Sequence, residues 1–291
     1  MIGDRSEPDS PIRLVHRRTE GAPAIAVNRL TKRFGALPGA AAVLAEVDLS
    51  IETGSFVAIV GPSGCGKSTL LRLISGLIQP NEGSVRLFGH EPAAFRRREH
   101  IGFVFQDATL LPWRSVLGNV TLPLEILHLG DARERRARAV SELDRVRLSQ
   151  FLDAYPSQLS GGMRQRVSIA RALAYDPPIL LMDEPFGALD EITRTELNGE
   201  LLRVWSETGK TTVFVTHALS EALFLADEVV VMGIRPGHIR GTHRVDLPRP
   251  RLPGVRRSVA FLDQLGRLEA LMAAATDAGH RVPAMGETGR P

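Results

Sequence analysis

Apolar residues in this chain follow two habits, short unbroken runs and helix-spaced stripes. Unbroken runs occur at Phe56-Val57-Ala58-Ile59-Val60, at Ile179-Leu180-Leu181-Met182 ahead of Asp183, and at Thr211-Thr212-Val213-Phe214-Val215-Thr216. Runs of this length without a polar break predict strands buried on both faces of a parallel sheet. Residues 192–208 carry a helical pattern between the last two runs, the crossover that parallel pairing requires. β-type stretches at 24–30 and 43–51 predict further short strands. Between about 112 and 175 the spacing changes, with Val140, Leu143 and Val146 at helical intervals and no sustained alternation. Residues 68–75 and 164–175 also read as helices. The pattern predicts a parallel-sheet core with a helical insertion and no internal repeat.

The chain has 291 residues, room for one α/β domain of about 200–250 residues plus tails. Hydrophobic content of 43% and charge of 24% are ordinary for a globular domain. No apolar stretch approaches the roughly 18 residues that span a bilayer. The first residues lack the apolar core of a signal peptide, so a cytoplasmic location is expected. Cys65 is the only cysteine and permits no internal disulfide, which agrees with that compartment. Residues 1–24, rich in Arg, Glu, Ser and Pro, read as a disordered extension. The main domain is expected over residues 25–252, followed by one amphipathic helix at 259–274 and a tail, with no room for a further domain.

The net charge is +3, and only Lys32, Lys67 and Lys210 are lysines among the 36 basic residues. The arginines are interspersed with acids, as in Asp131-Ala132-Arg133-Glu134-Arg135-Arg136, the pattern of a solvated helix face. Nucleic acid is therefore not an expected partner.

Candidate chemistry starts directly after the run at 56–60. Gly61-Pro62-Ser63-Gly64-Cys65-Gly66-Lys67-Ser68 fits the phosphate loop G-x-x-x-x-G-K-[ST] in its strand-to-helix setting. Glycines let backbone N–H groups close on phosphates, and the following helix N-terminus, Ser68 and Thr69 included, adds favourable partial charge. Lys67 would reach the β/γ-phosphates of a nucleotide, and the Ser68 hydroxyl would ligate Mg²⁺. Asp183 and Glu184 end a buried apolar run, where a carboxylate is costly unless a metal or other partner compensates it. One acid can hold Mg²⁺ through water while its neighbour polarises an attacking water. His217 stands at the end of the run at 211–216. A second glycine-rich turn, Leu159-Ser160-Gly161-Gly162-Met163-Arg164-Gln165, opens a helix and can also present N–H groups to an anion.

Taken together, and in this order, these motifs resemble the ATP-binding cassette family, whose signature sequence is LSGGQ. Here Met163 takes the fifth place and Gln165 follows two residues later. The resemblance covers residues 25–252. It implies an α/β P-loop NTPase with a RecA-like parallel core, an N-terminal antiparallel β subdomain, and a helical signature subdomain at about 107–175. It implies ATP and Mg²⁺ as ligands. Ser160, Gly161 and Gly162 would close over ATP held by the phosphate loop of a second subunit. The resemblance assigns Asp183 to Mg²⁺, Glu184 to the general base, and His217 to the γ-phosphate and the attacking water. Ala218 replaces the usual acid after that histidine. Gln106 matches the glutamine that senses Mg²⁺ and water, and Asp190 the loop that crosses the dimer interface. Phe34 is the candidate for stacking on adenine, with a core phenylalanine as the alternative.

The segment Leu110-Leu111-Pro112-Trp113-Arg114 follows Gln106, where cassette proteins receive a membrane partner. A tryptophan there suits docking, and burial in the helical subdomain's own core is the alternative. This wording, with Arg235-Pro236-Gly237-His238-Ile239 and Leu247-Pro248-Arg249-Pro250-Arg251, resembles importer ATPases for nitrate, taurine and aliphatic sulfonates. The resemblance implies a homodimer on the cytoplasmic face of the inner membrane, bound to a permease pair and served by an extracytoplasmic solute-binding protein. Non-transport cassette ATPases acting on DNA or ribosomes would use the same site. DNA-repair types carry long coiled-coil insertions, however, and translation types two cassettes per chain.

Overall fold

A computed structural model describes residues 22–35 and 41–277. Most of the extension expected over 1–24 therefore lies outside the described residues. The first layer is an antiparallel sheet in the order β2-β1-β4, formed by β1 (Ile25–Arg33), β2 (Ala42–Ile51) and β4 (Glu82–Leu87). The second sheet runs β5-β6-β7-β3-β8-β9 and comprises β3 (Phe56–Val60), β5 (Ile101–Val104), β6 (Ile179–Asp183), β7 (Thr211–Val215), β8 (Glu228–Gly233) and β9 (His238–Arg244). Its pairings are parallel except for the antiparallel β8–β9 edge.

All residues of β3, β6 and β7 are buried, as their unbroken apolar runs require. The register aligns their C-terminal ends. Ile59 pairs with Val215, and Val215 with Asp183. Everything just past these residues therefore emerges along one edge of the sheet, the place where open α/β sheets bind ligands.

Helices α1 (Lys67–Ile74) and α2 (Pro92–Arg98) follow β3 and β4. The insertion holds α3 (Val116–Ile126), α4 (Ala132–Arg145) and α5 (Gly161–Leu173), with α6 (Glu191–Thr208) and α7 (Leu219–Leu225) completing the core. α4 opens on a full capping box, Asp131 with Glu134, which satisfies two of its orphan N–H groups. Its surface Arg and Glu residues form the solvated face that the charge pattern predicts.

α8 (Val259–Asp277) does not hang free of this core. Phe261, Leu268 and Ala275 are buried in the same hydrophobic cluster as β3, α5 and α7. Gln264 ties it down further, donating from Nε2 to the Asp246 carbonyl at 2.8 Å and accepting from the Asp246 N–H at 3.0 Å. Arg251, buried ahead of this helix, donates to the carbonyls of Leu223, Phe224 and Ala226. It thereby closes the C-terminal end of α7, whose last carbonyls lack helical partners. Burial pulls its guanidinium down to about 10. The phrase 247–251 thus has a structural basis in this fold. No helix among the described residues is long and apolar enough to cross a membrane.

Candidate functional site

The loop between β3 and α1 wraps an open cleft of about 340 Å³ lined by Val43, Ser63, Gly64, Gly66, Lys67, Ser68, Thr69, Glu184 and His217. Gly66 caps α1 with φ 96° and no side chain serves as cap. This left-handed conformation is one glycine reaches without strain, and the helix's first N–H groups are left with no side-chain cap. Lys67 is 4% exposed and donates to the carbonyls of Gly61 at 2.9 Å and Pro62 at 3.2 Å. It forms no ion pair among the described residues. A buried ammonium held by two carbonyls and, at 3.9 Å, the Cys65 sulfur lacks a counter-charge, and a phosphate in the cleft supplies one. The cradle fits a nucleotide triphosphate.

Ser68 Oγ donates to Asp183 Oδ1 at 2.9 Å, placing two hard oxygen donors side by side. No cluster of three His, Cys, Asp or Glu side chains among the described residues could hold a metal alone. A pair of oxygens suits Mg²⁺, which keeps most of its waters and takes the rest of its ligands from phosphate. The residues present fit that ion.

Glu184 and His217 complete the cleft. They leave neighbouring strands, β6 and β7, one and two residues past the aligned ends, and Nε2 of His217 lies 2.6 Å from Glu184 Oε1. Glu184 has φ 46°, a backbone conformation costly for a side chain, which the Glu184 N–H to Val215 carbonyl bond at 3.0 Å holds in place. Such strain clusters at functional sites.

Other sequence candidates fall elsewhere. Cys65 lies in the hydrophobic cluster under the loop, 1% exposed, and does not line the cleft. Burial pushes its thiol up, with Lys67 pulling the other way. Gln106 lines a second cavity of about 270 Å³, which shares Glu184 and His217 with the first. Ser160 caps α5, its Oγ accepting from Met163 N–H. Gly162 is buried against Thr193 and Leu197 of α6. No residue of this turn lines the phosphate cleft of its own chain. Asp190 caps α6 with both carboxylate oxygens on Thr193, bonds that hold its pKa down. Phe34 is 53% exposed with the Lys32 ammonium 5.2 Å from its ring centre, so it is not a core residue. It does not line the cleft. Trp113 is 71% exposed and likewise outside the core.

A model of the ABC transporter family matches residues 44–187. An uncharacterised ABC transporter ATP-binding protein of Methanocaldococcus jannaschii is 47% identical over 86% of this chain and 91% of its own. The chain belongs to the ABC transporter ATP-binding family. It is an ABC ATPase, and the aliphatic sulfonates import ATP-binding protein of Cupriavidus pinatubonensis is 46% identical to it over 83% of this chain and 75% of that one. Among solved structures, a dimeric bacterial ABC transporter cassette matches with a TM-score of 0.68 and 37% identity, covering 77% of this chain and all of that one. The same cassette has been solved in a post-hydrolysis state with ADP and phosphate.

Sequence reasoning missed three supports of this ABC ATPase site. Gln165 and Arg171 reach from α5 to the backbone around Gln106, Gln165 Nε2 to the Phe105 carbonyl at 3.2 Å and Arg171 Nη2 to the Ala108 carbonyl at 2.8 Å. They join the signature helix to the glutamine loop. Their spacing on one helix gives no hint of it. Gly237 is the third, bonded on both sides to β2 through Val43 and Ala45. The phrase that contains it read only as a likeness to importers.

Proposed function

We propose that this ABC ATPase energises import of a small anion, an aliphatic sulfonate, taurine or nitrate, through a separate permease pair. The import-named relatives carry this reading, and the exposed Trp113 beside the glutamine loop supports a docked partner. Two copies of the chain work together, the turn at 160–162 of one covering nucleotide in the cleft of the other, on the cytoplasmic face of the inner membrane. Asp190 would approach the partner's site, and an extracytoplasmic binding protein would deliver the solute.

At the cleft, backbone N–H groups from residues 61–69 and the Lys67 ammonium bind the phosphates. Ser68, Asp183 and Gln106 would hold Mg²⁺, and the ion would supply positive charge against that developing on the phosphate oxygens. Glu184 takes the proton of the attacking water, and His217, 2.6 Å from Glu184, would contact the γ-phosphate and orient that water. Phe34 would stack on adenine.

The test is to tag the Glu184→Gln protein, solubilise native membranes with ATP present, and identify what copurifies. A permease with a binding protein that responds to sulfonates, taurine or nitrate is the expected result. Ribosomal or DNA-repair proteins without any membrane protein would leave the ATPase standing and end the transport reading.

A further inference from the structure

His217 is set between two residues that share one buried anchor. Glu221, in the first turn of α7, is 4% exposed and lines the second cavity together with Glu184 and His217. Its Oε2 accepts from the Thr216 hydroxyl. The same hydroxyl oxygen accepts from the Ala218 N–H at 3.1 Å. The Thr216 hydroxyl, itself fastened to the Glu221 carboxylate, therefore bridges the residues on either side of His217. Residue 218 is alanine and has no polar side chain to fasten the turn itself.

The carboxylate's other oxygen, Oε1, is buried without a hydrogen-bond partner among the described residues. Burial pushes the Glu221 carboxyl above the usual carboxylate range. Thr216, Asn198 and the guanidinium groups of Arg194 and Arg256 pull it back. Arg194 also donates from Nη2 to the Leu189 carbonyl at 2.7 Å, one residue before Asp190. An apolar side chain would fill this position without the desolvation cost of a carboxylate.

We propose that Glu221 is a positioning residue for ATP hydrolysis, acting through Thr216 to hold the backbone that aims His217 at Glu184. The inference rests on the role given to His217 above. A histidine freed to rotate loses its 2.6 Å contact with Glu184, and small misplacements at a reacting centre are expensive in rate.

The test uses the full chain, with steady-state ATP hydrolysis and binding of a fluorescent ATP analogue. Glu221→Ala and Thr216→Val are each made alone and in a His217→Ala background. In the wild-type background both should lower kcat about tenfold while analogue affinity stays unchanged, because neither touches the phosphate loop. Glu221→Gln, whose amide oxygen still accepts from Thr216, should keep most of the activity. In the His217→Ala background neither substitution should lower kcat further, since residues acting through one another are not additive. A further fall there of the same size, or full kcat in folded Thr216→Val protein, would overturn the proposal. Should Glu221→Ala fail to fold, Thr216→Val and Glu221→Gln carry the same comparison. Undiminished kcat in His217→Ala alone would remove the role of His217 first, and this proposal with it.

Discussion

Gly237, in the turn from β8 to β9, lies against the backbone of Cys65 in the phosphate loop. A methyl group at position 237 would sit 2.0 Å from the Cys65 carbonyl oxygen and 2.8 Å from that of Val43. Neither neighbour is a flexible side-chain tip, so backbone must move. Gly237→Ala is expected to lower stability by about 1–3 kcal/mol, the range for overpacking, and to weaken ATP binding. Thermal denaturation with and without ATP checks it. Reduced stability with unchanged ATP affinity would mean that the turn yields and the phosphate loop does not.

Glu184→Gln keeps the shape of the side chain and removes its capacity to take a proton. Hydrolysis should fall by about 10²–10⁴, the usual contribution of a positioned base, with ATP binding retained. Size analysis should then show a dimer that depends on ATP. A monomer under saturating ATP would refute the shared site.

Cys65 sits inside the nucleotide motif, which on sequence grounds suggests a thiol that ATP protects. The structure buries it instead and raises its pKa. Maleimide labelling at neutral pH should be slow, with or without ATP, and fast only on denaturation. The unfolded thiol ionises first as pH rises through its ordinary value of 9.0, so alkali should favour the unfolded chain. Rapid native labelling that ATP blocks would contradict this burial.

Arg251→Met fills similar volume without the guanidinium that meets three carbonyls at the end of α7. An unsatisfied buried acceptor costs about 1–3 kcal/mol, so a loss of about 3 kcal/mol is expected in denaturant titration. The loss should come with little change in ATP affinity.

Trp113→Ala should leave stability within about 0.5 kcal/mol, as for other exposed positions. It should reduce recovery of membrane partners with the tagged protein. A large fall in melting temperature would place Trp113 in the fold's own packing.

The sequence by itself determined whatever is local in the chain. The buried runs of β3, β6 and β7, the loop at 61–68 and the acids ending β6 are contiguous segments whose spacing carries the chemistry. Chain neighbours alone made them legible, and the family followed from their order. Only the tertiary structure decided relationships across the sheet. The register that pairs Ile59 with Val215 and Val215 with Asp183 brings Ser68 to Asp183 and His217 to Glu184, residues far apart in the chain. Packing also decided which side chains turn away: Cys65 into the core, Asp190 onto its own helix, and Trp113 into solvent. β4, β5, β8, β9 and α7 were not among the expected elements; β9 is half exposed at a sheet edge and α7 is too short for a helical period. Glu221 and Gly237 were silent for another reason. A buried carboxylate, or a glycine pressed on another loop, is defined by its neighbours in space, which one-dimensional spacing does not record.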